Sequence, residues 1–99
     1  MSFVVTHSDV MAAAAAELHT INAAVRAGNA AAAAPTIGVS PAAADVVSML
    51  TAAQFASHGR LYQEISAQAA TLREQLAGTL GISAASYAAT EAANTATVA

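Results

Sequence analysis

Apolar residues in the first third of the chain recur at alternating steps of three and four, which is the spacing of one face of an α-helix. The series is Met11, Ala14, Leu18, Ile21, Val25, Gly28 and Ala32. A second series lies about 200° around the same helix, and its members are small: Ala13, Ala16, Thr20, Ala23, Ala27, Ala30 and Ala34. Between the two series runs a polar stripe of His19, Asn22, Arg26 and Asn29. The pattern predicts an amphipathic first helix.

The breakers and capping residues set the ends of this helix. Thr6 or Ser8 can cap its start, and Asp9 suits the positive end of the helix dipole. Proline lacks a backbone N–H, so Pro35 is expected to end the helix. The first helix is therefore predicted from about residue 8 to about residue 34, and a turn from about 35 to about 44. Two starts remain open for the next helix, Ser40 followed by Pro41, or Asp45 followed by Ser48.

The second helix, predicted from about residue 45 to about residue 80, has a broader apolar side. Leucines recur every eleven residues at 50, 61 and 72, and Ile65 and Leu76 have the same spacing. With Val47, Phe55, Tyr62 and Leu80, the apolar residues cover about half of the helix circumference. Gly78 and Gly81 bracket the expected end. Residues 1–82 are thus predicted to form an antiparallel two-helix hairpin of the all-α class, and residues 83–99 a flexible tail.

The hairpin has more apolar surface than one sister helix can cover, because a surface helix needs an apolar stripe of only about 100°. Such a surplus indicates an interface with another protein. For the small-residue side of the first helix, simple exposure to solvent is the alternative. The residues predicted to form the hairpin contact and the partner interface are the larger apolar ones: Met11, Leu18, Ile21, Val25, Leu50, Phe55, Leu61, Tyr62, Ile65, Leu72 and Leu76.

Composition and charge argue against most other functions. The chain has no cysteine, three arginines far apart and a net charge of −3, so disulfides and nucleic-acid binding are not expected. The histidines have no second metal ligand at helical spacing. The serines and threonines match no nucleophile elbow, there is no glycine-rich phosphate loop, and the carboxylates are dispersed along the chain. We therefore expect no enzymatic activity, no cofactor, no metal and no small-molecule substrate. No cleavable signal peptide or membrane span is predicted either.

Several segments together resemble the PE family of mycobacteria, over the whole chain. They are the start Met1-Ser2-Phe3-Val4, the segments 41–48, 51–55 and 66–70, and the stretch Ser86 to Asn94, which includes Tyr87 and Glu91. The family is named for a Pro-Glu pair near the start, and Ser8-Asp9 stand at that place here. Because Ser and Asp also suit a helix start, we expect the fold to be kept.

The resemblance implies a partner and a route of export. PE proteins pair with a PPE-family protein in a four-helix bundle, and a type VII secretion system exports the pair after assembly in the cytosol. A chaperone of that system contacts the PPE subunit. The family's Tyr-x-x-x-Asp/Glu secretion signal corresponds to Tyr87 and Glu91, which would share one side of a helical turn. The resemblance thus implies a secreted or cell-surface protein that acts through its partner.

Two other interpretations remain. One is a self-associating structural or adaptor hairpin that forms a homodimeric four-helix bundle. The other is a single-domain type VII substrate of the class that carries Trp-x-Gly between its helices, and the turn here, Gly38-Val39-Ser40-Pro41, lacks that motif.

Overall fold

The computed structural model describes residues 4–98, and in this range it contains two α-helices and no strand. Helix α1 comprises Ser8–Ile37 and helix α2 comprises Val46–Val98, and the two pack as a hairpin. The predicted all-α hairpin is confirmed. The contacts divide into two units, each of which joins a stretch of α1 to a stretch of α2. The terminal unit contains residues 4–22 and 72–98 of the described chain, and the central unit is Ala23–Thr71.

The first helix begins as expected but ends later than predicted. The N–H of Met11 donates to the carbonyl of His7 at 3.0 Å, which closes the first turn. The prediction that Pro35 ends the helix is wrong, because α1 continues to Ile37 with the proline in its last turn. Proline removes one backbone donor there, while the Thr36 hydroxyl donates to the carbonyl of Ala32 at 2.6 Å and the Gly38 N–H donates to that of Ala34 at 2.9 Å. These bonds satisfy carbonyls that the end of a helix would otherwise leave free.

Of the two starts left open for α2, the structure selects Asp45. One carboxylate oxygen of Asp45 accepts the backbone N–H of Ser48 at 2.8 Å, and the other accepts the Ser48 hydroxyl at 2.8 Å. The bond from the Ser48 N–H, followed by that from its hydroxyl, lowers the pKa of the Asp45 carboxyl below its ordinary value. Asp45 is therefore the N-cap of α2, and Ser40 and Pro41 belong to the turn.

The predicted end of α2 near Leu80 is wrong, because the helix continues to Val98. Gly78 and Gly81 do not form C-caps, since no residue of the described chain has a positive φ angle. Beyond them the sequence is rich in alanine, which favours helix. The hydroxyls of Thr95 and Thr97 add bonds to the carbonyls of Glu91 and Ala93. The segment 83–99, predicted to be a flexible tail, is thus helical over 83–98, and Ala99 lies outside the described residues.

Small side chains form the contact between the two helices. In the central unit the buried residues are Ala52, Ala56, Gly59 and Ala70, and in the terminal unit they are Ala15, Asn22, Ala77 and Ala84. Along α2 the buried positions 52, 56, 59, 70, 77 and 84, with the half-buried positions 63, 66, 73 and 80 between them, follow alternating steps of four and three. This is the heptad spacing of two helices packed lengthwise.

The sequence assigned the larger apolar residues to the hairpin contact and the partner interface together, and only some of those in α1 face α2. Met11 and Leu18 are half-buried, but Ile21 and Val25 are exposed and Asn22 is buried instead. The physical reason is close approach of the backbones. In the central unit a Cβ added at Gly59 would lie 3.2 Å from the carbonyl oxygen of Thr36, and large side chains would hold the helices apart.

Candidate interaction surfaces and a polar cluster

In the central unit the large apolar side chains of α2 are exposed, although they belong to a well-formed helix. Leu50 is 65% and Leu61 53% exposed, and Phe55, Tyr62 and Ile65 have similar values. Leu61 follows Gly59 by two residues, which places it about 160° around the helix from that buried position. The side of α2 that carries Leu61 therefore points away from α1.

A groove beside Phe55 adds a concave feature to this surface. It has a volume of about 470 Å³, and Phe55, Tyr62, Pro35 and Val39 contribute apolar walls. The Tyr62 hydroxyl donates to Oδ1 of Asn29 at 2.9 Å. That bond holds the ring of Tyr62 at the edge of the groove with its apolar faces available for contact.

The terminal unit has an exposed apolar surface of its own. Leu72, Leu76 and Ile82 of α2 and Ile21 of α1 are each more than half exposed. Of the eleven residues in the predicted interface, only Met11 and Leu18 are half-buried, and the others are exposed. Their exposure is what a partner interface requires, and the partner itself stays a prediction.

A polar cluster lies in the terminal unit and includes two residues of the polar stripe of α1, His19 and Asn22. The side chain of Asn22 is only 1% exposed, so this part of the stripe faces the inside of the hairpin. Its Oδ1 accepts the Nε–H of Arg73 at 2.8 Å, and its Nδ2 donates to Oε2 of Glu74 at 3.0 Å. Glu74 also pairs with Nδ1 of His19 at 2.9 Å, so His19 is exposed but is not free in solvent. These bonds offset the cost of burying an amide.

Sequence reasoning missed this cluster, but one signal was present. Asn22 lies seven residues after Ala15 and seven before Asn29, which is the heptad period of an inner face. Asn29 is half-buried in the central unit, and its backbone carbonyl accepts the side-chain amide of Gln63 at 2.9 Å. An asparagine repeated at the heptad period therefore marked the inner side of α1.

The predicted signal residues Tyr87 and Glu91 both lie in the helical part of the terminal unit. They are exposed and four residues apart on α2, so they share one side of the helix. Oε1 of Glu91 accepts the hydroxyl of Thr6 at 3.1 Å. Thr6, which was expected as one possible cap of α1, instead donates to Glu91, 85 residues further along the sequence.

The described part of the chain has neither a group of side chains arranged to hold a metal ion nor a helix suited to span a membrane. Residues 4–98 contain no group of three His, Cys, Asp or Glu side chains arranged to hold an ion. Neither α1 nor the described length of α2 is apolar enough over a sufficient stretch to cross a bilayer.

These features define a class of protein, namely a helical hairpin with an inner contact of alanine and glycine and an outer surface of leucine and isoleucine. The PE family profile matches residues 4–94. The chain is 57% identical over 96 residues to PE family protein PE13 of Mycobacterium tuberculosis, an alignment that covers 97% of each. It therefore belongs to the PE family, as the sequence resemblance indicated.

Longer relatives carry the same region at a fraction of their length. The chain is 51% identical over 94 residues to PE family protein PE8 of M. tuberculosis, covering 95% of this chain and 34% of PE8. It is 54% identical over 91 residues to the PE-PGRS family protein PE_PGRS11 of the same species, covering 92% of this chain and 16% of that relative. The chain thus spans about a third or less of these two proteins.

Proposed function

We propose that this chain is the small, non-enzymatic subunit of a heterodimer with a PPE-family protein, exported by a type VII secretion system. The observation that carries the proposal is the reversal of the usual burial pattern. Alanine and glycine lie between the two helices, whereas Leu50, Leu61, Leu72 and Leu76 are each more than half exposed. Burying one such side chain contributes about 1.5–3 kcal/mol. Covering the exposed leucines with a partner would therefore contribute a large part of the free energy of association.

The chemistry of the exposed side chains indicates what kind of partner fits. In each unit they are apolar and lie on a helix, so a second pair of amphipathic helices completes a four-helix bundle. Membership of the PE family supports a PPE-family protein as that pair. In this proposal the chaperone of the secretion system contacts the PPE subunit, and the exported pair acts at the cell surface or outside the cell.

Expression of the chain alone and together with candidate PPE proteins tests the heterodimer. Alone, the chain should aggregate or form ill-defined oligomers because its leucines are uncovered. Co-expression with the cognate PPE protein should give a soluble 1:1 complex, measured by size-exclusion chromatography with light scattering. A stable monomer at micromolar concentration would contradict the proposal, and a discrete dimer of the chain alone would favour the homodimeric bundle.

The proposed export signal consists of Tyr87 and Glu91. Both side chains are exposed on one side of α2, where a receptor can contact an aromatic ring and a carboxylate together. Tyr87→Ala or Glu91→Ala should abolish secretion while the complex with the partner still forms, as measured by immunoblot of culture filtrate and by co-purification from lysate. Normal secretion of both variants would rule out the signal.

A further inference from the structure

The segment just before α1 contacts the proposed signal directly. Thr6 is half-buried, whereas Glu91 is exposed, and the Thr6 hydroxyl lies 3.1 Å from Oε1 of Glu91. A capping residue would accept a bond from a free backbone amide in the first turn of α1, whereas in this contact the Thr6 hydroxyl acts as a donor. Its donor is directed to one carboxylate at the other end of the sequence.

We propose that Thr6 is a positioning residue for the export signal, acting through Glu91. An exposed glutamate samples many rotamers, and fixing it costs conformational entropy when a receptor binds. A hydroxyl that donates to Oε1 restricts those rotamers before binding. Because only Oε1 accepts this bond and the side chain remains exposed, Oε2 stays available to a receptor, so the contact orients the carboxylate and does not mask it.

This inference rests on the proposed role of Tyr87 and Glu91 in export. Net contributions of single hydrogen bonds are small, so loss of the Thr6 donor should lower recognition by about twofold to tenfold and should not abolish it. Complete loss is expected only when the carboxylate itself is removed.

The test compares secretion of the heterodimer with different residues at position 6. Thr6→Val keeps the shape of the side chain and removes the donor, whereas Thr6→Ser keeps the donor. Secretion should fall about twofold to tenfold in Thr6→Val and stay at the wild-type level in Thr6→Ser. Co-purification with the partner, measured in the same lysates, should be unchanged in both variants.

A background variant separates positioning from a general structural effect. Glu91→Asp keeps a carboxylate that the proposed signal accepts, but its side chain is one methylene shorter and does not reach Thr6. In that background Thr6→Val should have no further effect. Wild-type secretion of Thr6→Val, or an equal fall in both backgrounds, would overturn the inference while leaving the signal intact. Normal secretion of Glu91→Ala would instead overturn the signal itself.

Discussion

Of the two glycines that lie within helices of the central unit, Gly28 and Gly59, Gly59 has the less room for a side chain. A Cβ there would lie 3.2 Å from the carbonyl oxygen of Thr36 and 3.2 Å from Cγ1 of Ile37. Isoleucine can rotate, but a helix carbonyl cannot move without shifting the backbone. Gly28 belongs to the same unit, and a Cβ there would have nothing within 4 Å. Alanine substitutions at these two glycines therefore distinguish the effect of helix propensity, which acts at both positions, from the effect of close packing, which acts only at Gly59.

We expect Gly59→Ala to lower the free energy of unfolding by about 1–3 kcal/mol, because the added methyl group overpacks the contact. Gly28→Ala, the matched control, should raise it by about 0.5–1 kcal/mol, because alanine loses less backbone entropy. Urea denaturation of the complex with its partner, followed by circular dichroism, measures both. Equal stabilisation by the two substitutions would show that the helices can separate at Gly59 at no cost.

At the scale of the helices, a contact made of alanine leaves few side chains that distinguish one alignment of α1 and α2 from another. Polar side chains on the inner side supply that distinction, as a buried asparagine does in coiled coils. In the terminal unit Asn22 binds both Arg73 and Glu74. A helix slipped by one turn would separate the buried amide of Asn22 and the half-buried guanidinium of Arg73 from each other, which costs more than misplacing an alanine.

Asn22→Ala should therefore lower the free energy of unfolding by about 1–3 kcal/mol, because the guanidinium of Arg73 loses its acceptor. One nitrogen of that guanidinium, Nη2, is already buried without a partner among the described residues. Asn29→Ala is the control and should cost less: it removes the acceptor of an exposed bond from the Tyr62 hydroxyl, but it keeps the backbone carbonyl that accepts the Gln63 amide. Thermal unfolding of the complex compares them, and an equal cost would remove the special role of Asn22.

At the scale of the whole molecule, the two sides of α2 have separate tasks. Ala77 is 1% exposed, and Leu76 beside it in sequence is 59% exposed. The first packs within the chain, and in our proposal the second packs against the partner. Adjacent positions of one helix thus allow folding and association to be changed independently.

Ala77→Asp should unfold the hairpin or destabilise it by about 3 kcal/mol or more, because it buries a charge without a partner. Leu76→Asp should keep the helical content of the chain and prevent capture of the PPE protein. Circular dichroism and a pull-down with the tagged partner measure the two effects. Partner capture that survives Leu76→Asp would place the interface elsewhere.

The sequence by itself determined that there are two helices, a turn between them and an apolar side on α2. Alanine-rich segments separated by Pro35, Gly38 and Pro41 favour two helices whatever their surroundings. Asp45 was one of two starts that local chemistry allowed. The spacing of Leu50, Leu61 and Leu72 placed an apolar side on α2, and the segment around Tyr87 and Glu91 indicated the family.

Only the tertiary structure decided which side of each helix faces its sister. Periodicity gives the angles between residues on one helix, but it does not show whether leucine or alanine covers more surface once a second helix is in place. Because the backbones of the two helices lie close together, small residues fill the contact between them. Asn22 is buried in that contact, whereas Ile21 is exposed. The bond between Thr6 and Glu91 joins groups that are 85 residues apart, and a local pattern carries no information on such a contact.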